Sequence, residues 1–266
     1  MSSKLILLLL AALLLGGLLF FLRSFARLLA FPGSRIPFPE TAALGDRGRI
    51  LTLVTGDGLT LRAAWISSGV SGAKVVVFFH GNAESAAQNL PLAQTLAAEG
   101  VDVVLAEYRG YGGEPGRPDE EGLYADGAAL LSALDREGVT RDRLVLVGRS
   151  LGTGVAVELA LRFPPSLLVL VSPYTSFADL GRSLVGPMAP LVVPDRFDNL
   201  GKIAKVTSPV VILHGTKDDV VPFRMGERLA AAGKGVRFLP LEGRTHNDIP
   251  DLPALLLAEI RRGGGV

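Results

Sequence analysis

Three features of the sequence predict an α/β protein with a mostly parallel sheet and helices on both faces. From residue 50 onward, short β-type runs alternate with helical stretches, and the connections are longer than hairpins require. Several of the runs have an unbroken apolar interior, as strands buried on both faces must; KVVVFFH (74–80), with VVVFF at its centre, is the clearest. Ahead of them stands LILLLLAALLLGGLLFFL (5–22), 18 residues without a charge. At ~1.5 Å per residue this run reaches about 27 Å, close to the thickness of a bilayer's hydrocarbon core.

The elements follow in order. Residues 1–23 read as a transmembrane anchor. A signal peptide is the competing reading, but its apolar region is usually only about 7–15 residues and is followed by a small-residue cleavage pattern. RSFARLLAFP (23–32) offers no such pattern. A buried soluble helix is the third reading, and the leucine density argues against it. Residues 24–49, with three prolines and scattered charges, read as a linker. ILTLVT (50–55) and LTLRAAWIS (59–67), split by GDG, predict an antiparallel hairpin. KVVVFFH is the next strand, and a helix is expected around 85–99, closed by Gly100. VDVVLAEY (101–108) is a strand, and PDEEGLYADGAALLSALDREG (118–138) opens with proline and acids and stops at glycine, as a helix does. RLVLVG (143–148), a helix over about 151–162 and SLLVLVS (166–172) come next. PVVILHG (209–215) and VRFLPLEG (236–243) are strands that bracket the helix PFRMGERLAAAG (222–233), and DLPALLLAEIRR (251–262) is a terminal helix. One domain, residues 50–264, follows the anchor and linker.

Composition narrows the chemistry. The chain has 266 residues, 48% of them hydrophobic, enough for a large core. Its net charge of +1 gives no electrostatic case for nucleic acid. The absence of cysteine rules out disulfides, thiolate zinc sites and cysteine nucleophiles. His80, His214 and His246 are the three histidines. They are too dispersed for a metal-binding H-E-x-x-H pattern, so no metal and no cofactor is expected.

In sheets of this kind ligands bind beyond the carboxyl ends of the strands. Gly148-Arg149-Ser150-Leu151-Gly152 satisfies G-x-S-x-G immediately after one strand and before a helix. A turn that sharp needs small residues two positions either side of the serine, and the helix N-terminus offers its free N–H groups to a developing oxyanion. The glycine spacing fits neither a dinucleotide fingerprint nor a phosphate-binding loop, which would need Gly-Lys-Ser/Thr. A serine hydroxyl is a weak nucleophile without a base. His246 follows the last strand-like run, whereas His80 and His214 are each followed directly by glycine and read as loop-shaping residues. HGTKDDVVP (214–222) supplies an orienting acid, Asp218 or Asp219. The chain order Ser150, Asp218, His246 is the one expected of such a triad in this architecture.

At this point the sequence resembles the α/β-hydrolase superfamily, most of all its membrane-anchored, short-capped serine hydrolases, including bacterial serine-aminopeptidase-type enzymes. The matching pieces are FFHGNAE (78–84), EYRGYG (107–112), GRSLGTG (148–154), SPYTSF (172–177), PVVILHGTKDDVVP (209–222) and THND (245–248). The resemblance implies the α/β-hydrolase fold with a short cap over about 174–206. It implies that the backbone N–H groups of Asn82 and Leu151 form the oxyanion hole, with His80, Gly81, Gly148 and Gly152 shaping the motifs. It places the acid at Asp218, with Asp219 as the rival. Thr245, where a glycine often stands, and Tyr174, where phenylalanine is common, are slight departures.

The expected activity is therefore serine hydrolysis of a small-molecule acyl substrate through an acyl-enzyme. The cap segment is rich in leucine, valine and proline, with Asp179, Asp195 and Asp198 as its acids. So apolar a cover favours an uncharged acyl chain in an ester or thioester. An aminopeptidase, which would want acids to hold an α-ammonium group, is the alternative. A non-catalytic membrane-tethered scaffold is the alternative of another class. The lipid bilayer is the expected partner of the N-terminal helix. Arg23, Arg27 and Arg35 outnumber Lys4 and the amino terminus, which favours a cytoplasmic domain. The catalytic elements all lie beyond residue 74, which predicts that a chain starting near Arg35 is soluble and fully active.

Overall fold

The computed structural model describes residues 2–193 and 195–263. Its centre is an eight-stranded sheet in the order β1-β2-β4-β3-β5-β6-β7-β8. β1 (Gly48–Val54) and β2 (Thr60–Ile66) form the expected hairpin, and β2 runs antiparallel to β4 (Asp102–Ala106). From β4 across β3 (Val75–Phe79), β5 (Leu144–Arg149), β6 (Leu167–Val171), β7 (Val210–Gly215) and β8 (Arg237–Leu241), all pairings are parallel.

Alternation along the strands builds two cores. Val75, Val77, Phe79, Leu144 and Leu146 face the side covered by α3 (Glu120–Arg136), α4 (Leu151–Arg162) and α8 (Phe223–Ala232). Val76, Phe78, Val145, Val147 and Val169 face α2 (Leu90–Ala98) and α9 (Leu252–Gly263). In the central strands both faces are dry, which is why Val75–Phe79, 144–148 and Leu167–Val171 carry no polar side chain. The expected helix over 85–99 divides into a 3-10 turn, Ala86–Asn89, and α2. Pro91 lacks an N–H, so it suits the first turn of a new helix and not the interior of a longer one.

The chain order reverses around β3. β4 lies on one side of it and β5 on the other, so the connections leaving β3 and β5 diverge and open a crevice at their carboxyl ends. Over it lies the insertion that follows β6: α5 (Phe177–Val185), α6 (Ala189–Val192) and α7 (Asn199–Ile203).

The N-terminus departs from expectation. Helix α1 runs from Ser3 to Ala30, so residues 24–30, expected as linker, continue the helix. Its surface is apolar and outward-facing, and it is long and apolar enough to cross a membrane. The residues after it are not a loose tether, because Phe31 and Phe38 are buried. Phe31 enters a ring cluster with Phe177 (6.0 Å) and Phe197 (6.2 Å), the kind of core contact a solvated linker does not make. Residue 264, the expected end of the domain, lies outside the described residues.

Candidate active site

β5 ends in a backbone conformation that few side chains adopt. Ser150 has φ 49° and ψ −114° at the junction with α4. A Cβ on Gly148 would collide with the carbonyl oxygen of Gly152, and one on Gly152 with that of Phe79. Glycine is therefore obligatory at both flanks, and the turn lifts the serine clear of the sheet.

The loops after β7 and β8 bring the other two residues to it. His246 Nε2 lies 3.1 Å from Ser150 Oγ, and His246 Nδ1 lies 2.9 Å from Asp218 Oδ2. The side chain of Asp218 is fully buried. Burial alone would raise its pKa, but hydrogen bonds from His214 and His246, the His246 charge and the Val221 N–H hold the carboxyl far below the usual carboxylate range. With Asp218 ionised, Nδ1 of His246 is the donor and Nε2 is left to face the serine. Asp219 sits differently: among the described residues its carboxylate accepts only from the His246 backbone N–H, at 3.5 Å.

The remaining residues expected at the site lie around this line. The backbone N–H groups of Asn82, after β3, and Leu151, the first residue of α4, donate to no other group among the described residues, and both residues border the cavity above Ser150. His80 is buried and bonds Glu107 Oε1 through Nε2 at 2.9 Å. Burial opposes its charge, but the hydrogen bond and charge of Glu107 outweigh that and leave its pKa raised. His80 thus ties the loop after β3 to the end of β4. His214 is buried beneath Asp218, with Nε2 3.0 Å from Val221 O and 3.3 Å from Asp218 Oδ2. Gly81 donates its N–H to Glu84 at 3.2 Å.

Two groups of residues escape a sequence reading. Arg149, which directly precedes the serine, pairs with Glu84 (2.6 Å) through one guanidinium nitrogen, and another reaches His246 O (3.4 Å) and Asn247 Oδ1 (3.0 Å). It pins the histidine loop to the loop after β3. The second group is the end of α1. Asn82 Nδ2 donates to Ala30 O at 2.6 Å, and Asn82 Oδ1 accepts from the Tyr111 hydroxyl at 2.6 Å. Arg27 forks onto the buried carboxylate of Asp195 at 2.9 and 3.1 Å. The sequence signal for this is the apolar run 28–31, Leu-Leu-Ala-Phe, inside the stretch that reads as a linker.

Above Ser150 lies a cavity of about 260 Å³ bordered by Ala30, Tyr174, Phe177, Leu180, Leu184 and Val193 among others, with no charged side chain among the described residues of its wall. The three cap acids point elsewhere. Asp179 pairs with Arg182, Asp195 with Arg27, and Asp198 caps α7.

Fold and site together define a hydrolase of the α/β class, with a sharp serine turn at the point where the strand order reverses. The comparisons agree. Residues 71–196 match the family described as serine aminopeptidase, S33; the matched stretch includes Ser150 and stops short of Asp218 and His246. The chain is 40% identical over 244 residues to an uncharacterized protein of Mycobacterium tuberculosis, covering 89% of this chain and 85% of the other. It is 33% identical over 203 residues to human alpha/beta hydrolase domain-containing protein 17B, covering 73% of this chain and 68% of that one. Its fold is similar to that of a Pyrococcus furiosus esterase, with a TM-score of 0.69 at 19% identity, covering 88% of this chain and 99% of that chain. The chain belongs to the α/β-hydrolase superfamily.

Proposed function

We propose that this protein is a membrane-anchored serine esterase or thioesterase that cleaves an uncharged, apolar acyl group. One observation carries the reading: Ser150 Oγ, 3.1 Å from His246 Nε2, lies beneath a cavity walled by apolar side chains. In the proposed reaction Ser150 Oγ attacks the acyl carbonyl as His246 Nε2 takes its proton. Asp218 holds the imidazole in the required tautomer and stabilises its cation. The N–H groups of Asn82 and Leu151 receive the oxyanion; a single such donor is worth about 2.7–4 kcal/mol in comparable sites. The leaving alcohol or thiol takes the proton from His246. Water then gives its proton to His246 and attacks the acyl-enzyme, which releases the acid and restores the serine.

The amide-cleaving alternative has less support. An aminopeptidase needs a carboxylate free to meet the substrate's ammonium group, and each cap acid already has a partner. The scaffold reading leaves the alignment of Ser150, His246 and Asp218 unexplained. The anchor reading is favoured over a cleaved signal because cleavage near residue 31 would remove Arg27 and Ala30, which bond to the cap and to Asn82.

A panel of acyl esters, acyl thioesters and aminoacyl amides, run with Ser150→Ala alongside, tests this. Turnover of uncharged acyl esters or thioesters that vanishes in the variant is expected. Preference for the aminoacyl amides would move the protein to the alternative.

A further inference from the structure

The uncharged run ends at Arg23, and that is where α1 meets the cap. Arg23 Nε donates to Leu191 O at 3.4 Å, and one turn later Arg27 forks onto Asp195. On a helix rising ~1.5 Å per residue, these contacts hold α6 within about 6 Å of the end of the run. With the run in hydrocarbon, α6 lies at the level of the lipid headgroups. Large apolar side chains are exposed there: Leu184 (58%), Met188 (67%) and Leu191 (56%) stand out on the cap. Three large apolar side chains exposed on one short cap segment suit a contact surface better than ordinary solvated skin.

Beside them is a cavity of about 300 Å³ whose wall includes Arg23, Arg182, Arg196, Pro190 and Val193. Arg182 is paired with Asp179, whereas the guanidinium groups of Arg23 and Arg196 form no ion pair among the described residues. Cationic groups beside an apolar surface suit an anionic bilayer. Val193 borders both this cavity and the one above Ser150.

We propose that the cap is a second membrane contact: Met188 and Leu191 dip into the bilayer surface, Arg23 and Arg196 seat acidic lipid headgroups, and the cavity above Ser150 opens at that surface to receive acyl groups carried by the membrane. The inference rests on the anchored-esterase reading, and its test separates the two. The chain has no cysteine, so single labels are unambiguous. Full-length protein carrying a bimane at Leu13→Cys, Met188→Cys or Asp135→Cys is placed in nanodiscs of three parts phosphatidylcholine to one part phosphatidylserine. The label at 188 should be quenched by headgroup spin labels, that at 13 by acyl-chain spin labels and that at 135 by neither. Quenching at 188 should weaken in phosphatidylcholine alone and in Arg23→Gln/Arg196→Gln. Quenching at 13 without quenching at 188 overturns the cap contact and leaves the anchor standing; quenching at neither site overturns both. Equal quenching at 188 with and without phosphatidylserine overturns the headgroup seat.

A second measurement uses turnover. Met188→Ser/Leu191→Ser should cleave a vesicle-embedded acyl ester about tenfold more slowly while a water-soluble ester is unaffected. Equal loss on both substrates, or loss on neither, contradicts the membrane role. A wild-type chain that cleaves neither ester refutes the esterase reading, and the quenching result still decides the contact.

Discussion

The side-chain amide of Asn82 donates to the carbonyl oxygen of Ala30, the last residue of the N-terminal helix, at 2.6 Å. The residue proposed to supply an oxyanion N–H is thereby held by the segment that leads into the proposed anchor. Asn82→Asp replaces that donor with a second acceptor facing Ala30 O. We expect kcat on a soluble ester to fall about tenfold or more, since misplacing one oxyanion donor is that costly, with KM little changed. An unaltered kcat would show that the loop keeps its place without the bond.

A chain beginning at Arg35 loses Ala30 from the cavity wall and Phe31 from the core. The sequence alone predicts full activity for it; the structure predicts at least the loss seen for Asn82→Asp, whereas a chain beginning at Arg23 keeps these contacts and its activity. Comparing the two chains on one soluble ester decides the matter, and equal kcat/KM would return residues 24–34 to the status of linker.

Ser150→Ala and His246→Ala should each lower kcat by roughly 10⁴–10⁶, and the double variant should be hardly worse than either, because residues that act as one unit are not additive. Single-turnover kinetics on an activated ester measures this. A double variant far worse than both singles would mean that the two act separately.

Asp218→Asn should lower kcat by about 10⁴, because the amide favours the wrong imidazole tautomer. Asp219→Asn should change it little, since that carboxylate meets the backbone N–H of His246, at 3.5 Å, and not its ring. The reverse ranking in a kcat comparison would transfer the role to Asp219.

Asp218 also predicts a pH dependence of stability. Its folded pKa lies below that of the unfolded chain, so the carboxylate contributes stability above about pH 4 that is lost as the pH falls toward the folded value. Thermal melts between pH 7 and pH 3 should show a shallower acid decline for Asp218→Asn than for the natural chain. Parallel declines would mean that the carboxyl titrates normally.

The strands were legible because burial on both faces leaves no room for polar residues, so runs such as 74–80 and 166–172 announce themselves. The serine turn was legible because steric necessity writes Gly148 and Gly152 beside Ser150. The division of the cap into α5, α6 and α7 was not, since short helices packed by tertiary contacts carry little periodic signal of their own. The role of residues 24–31 was also hidden. Arg27 and Asp195 are 168 positions apart, and the Asn82–Ala30 bond uses a backbone carbonyl that any residue would provide. Arg149 was overlooked for a similar reason: its partners, Glu84 and the loop of His246, meet only once the sheet is assembled.

The most direct test of the central claim is the mass of the protein after reaction with a fluorophosphonate. A single adduct is predicted on the peptide containing Ser150, absent from Ser150→Ala and formed much more slowly in His246→Ala. Failure of the natural chain to form the adduct, or labelling of Ser150→Ala at the natural rate, would contradict the assignment of Ser150 as the nucleophile.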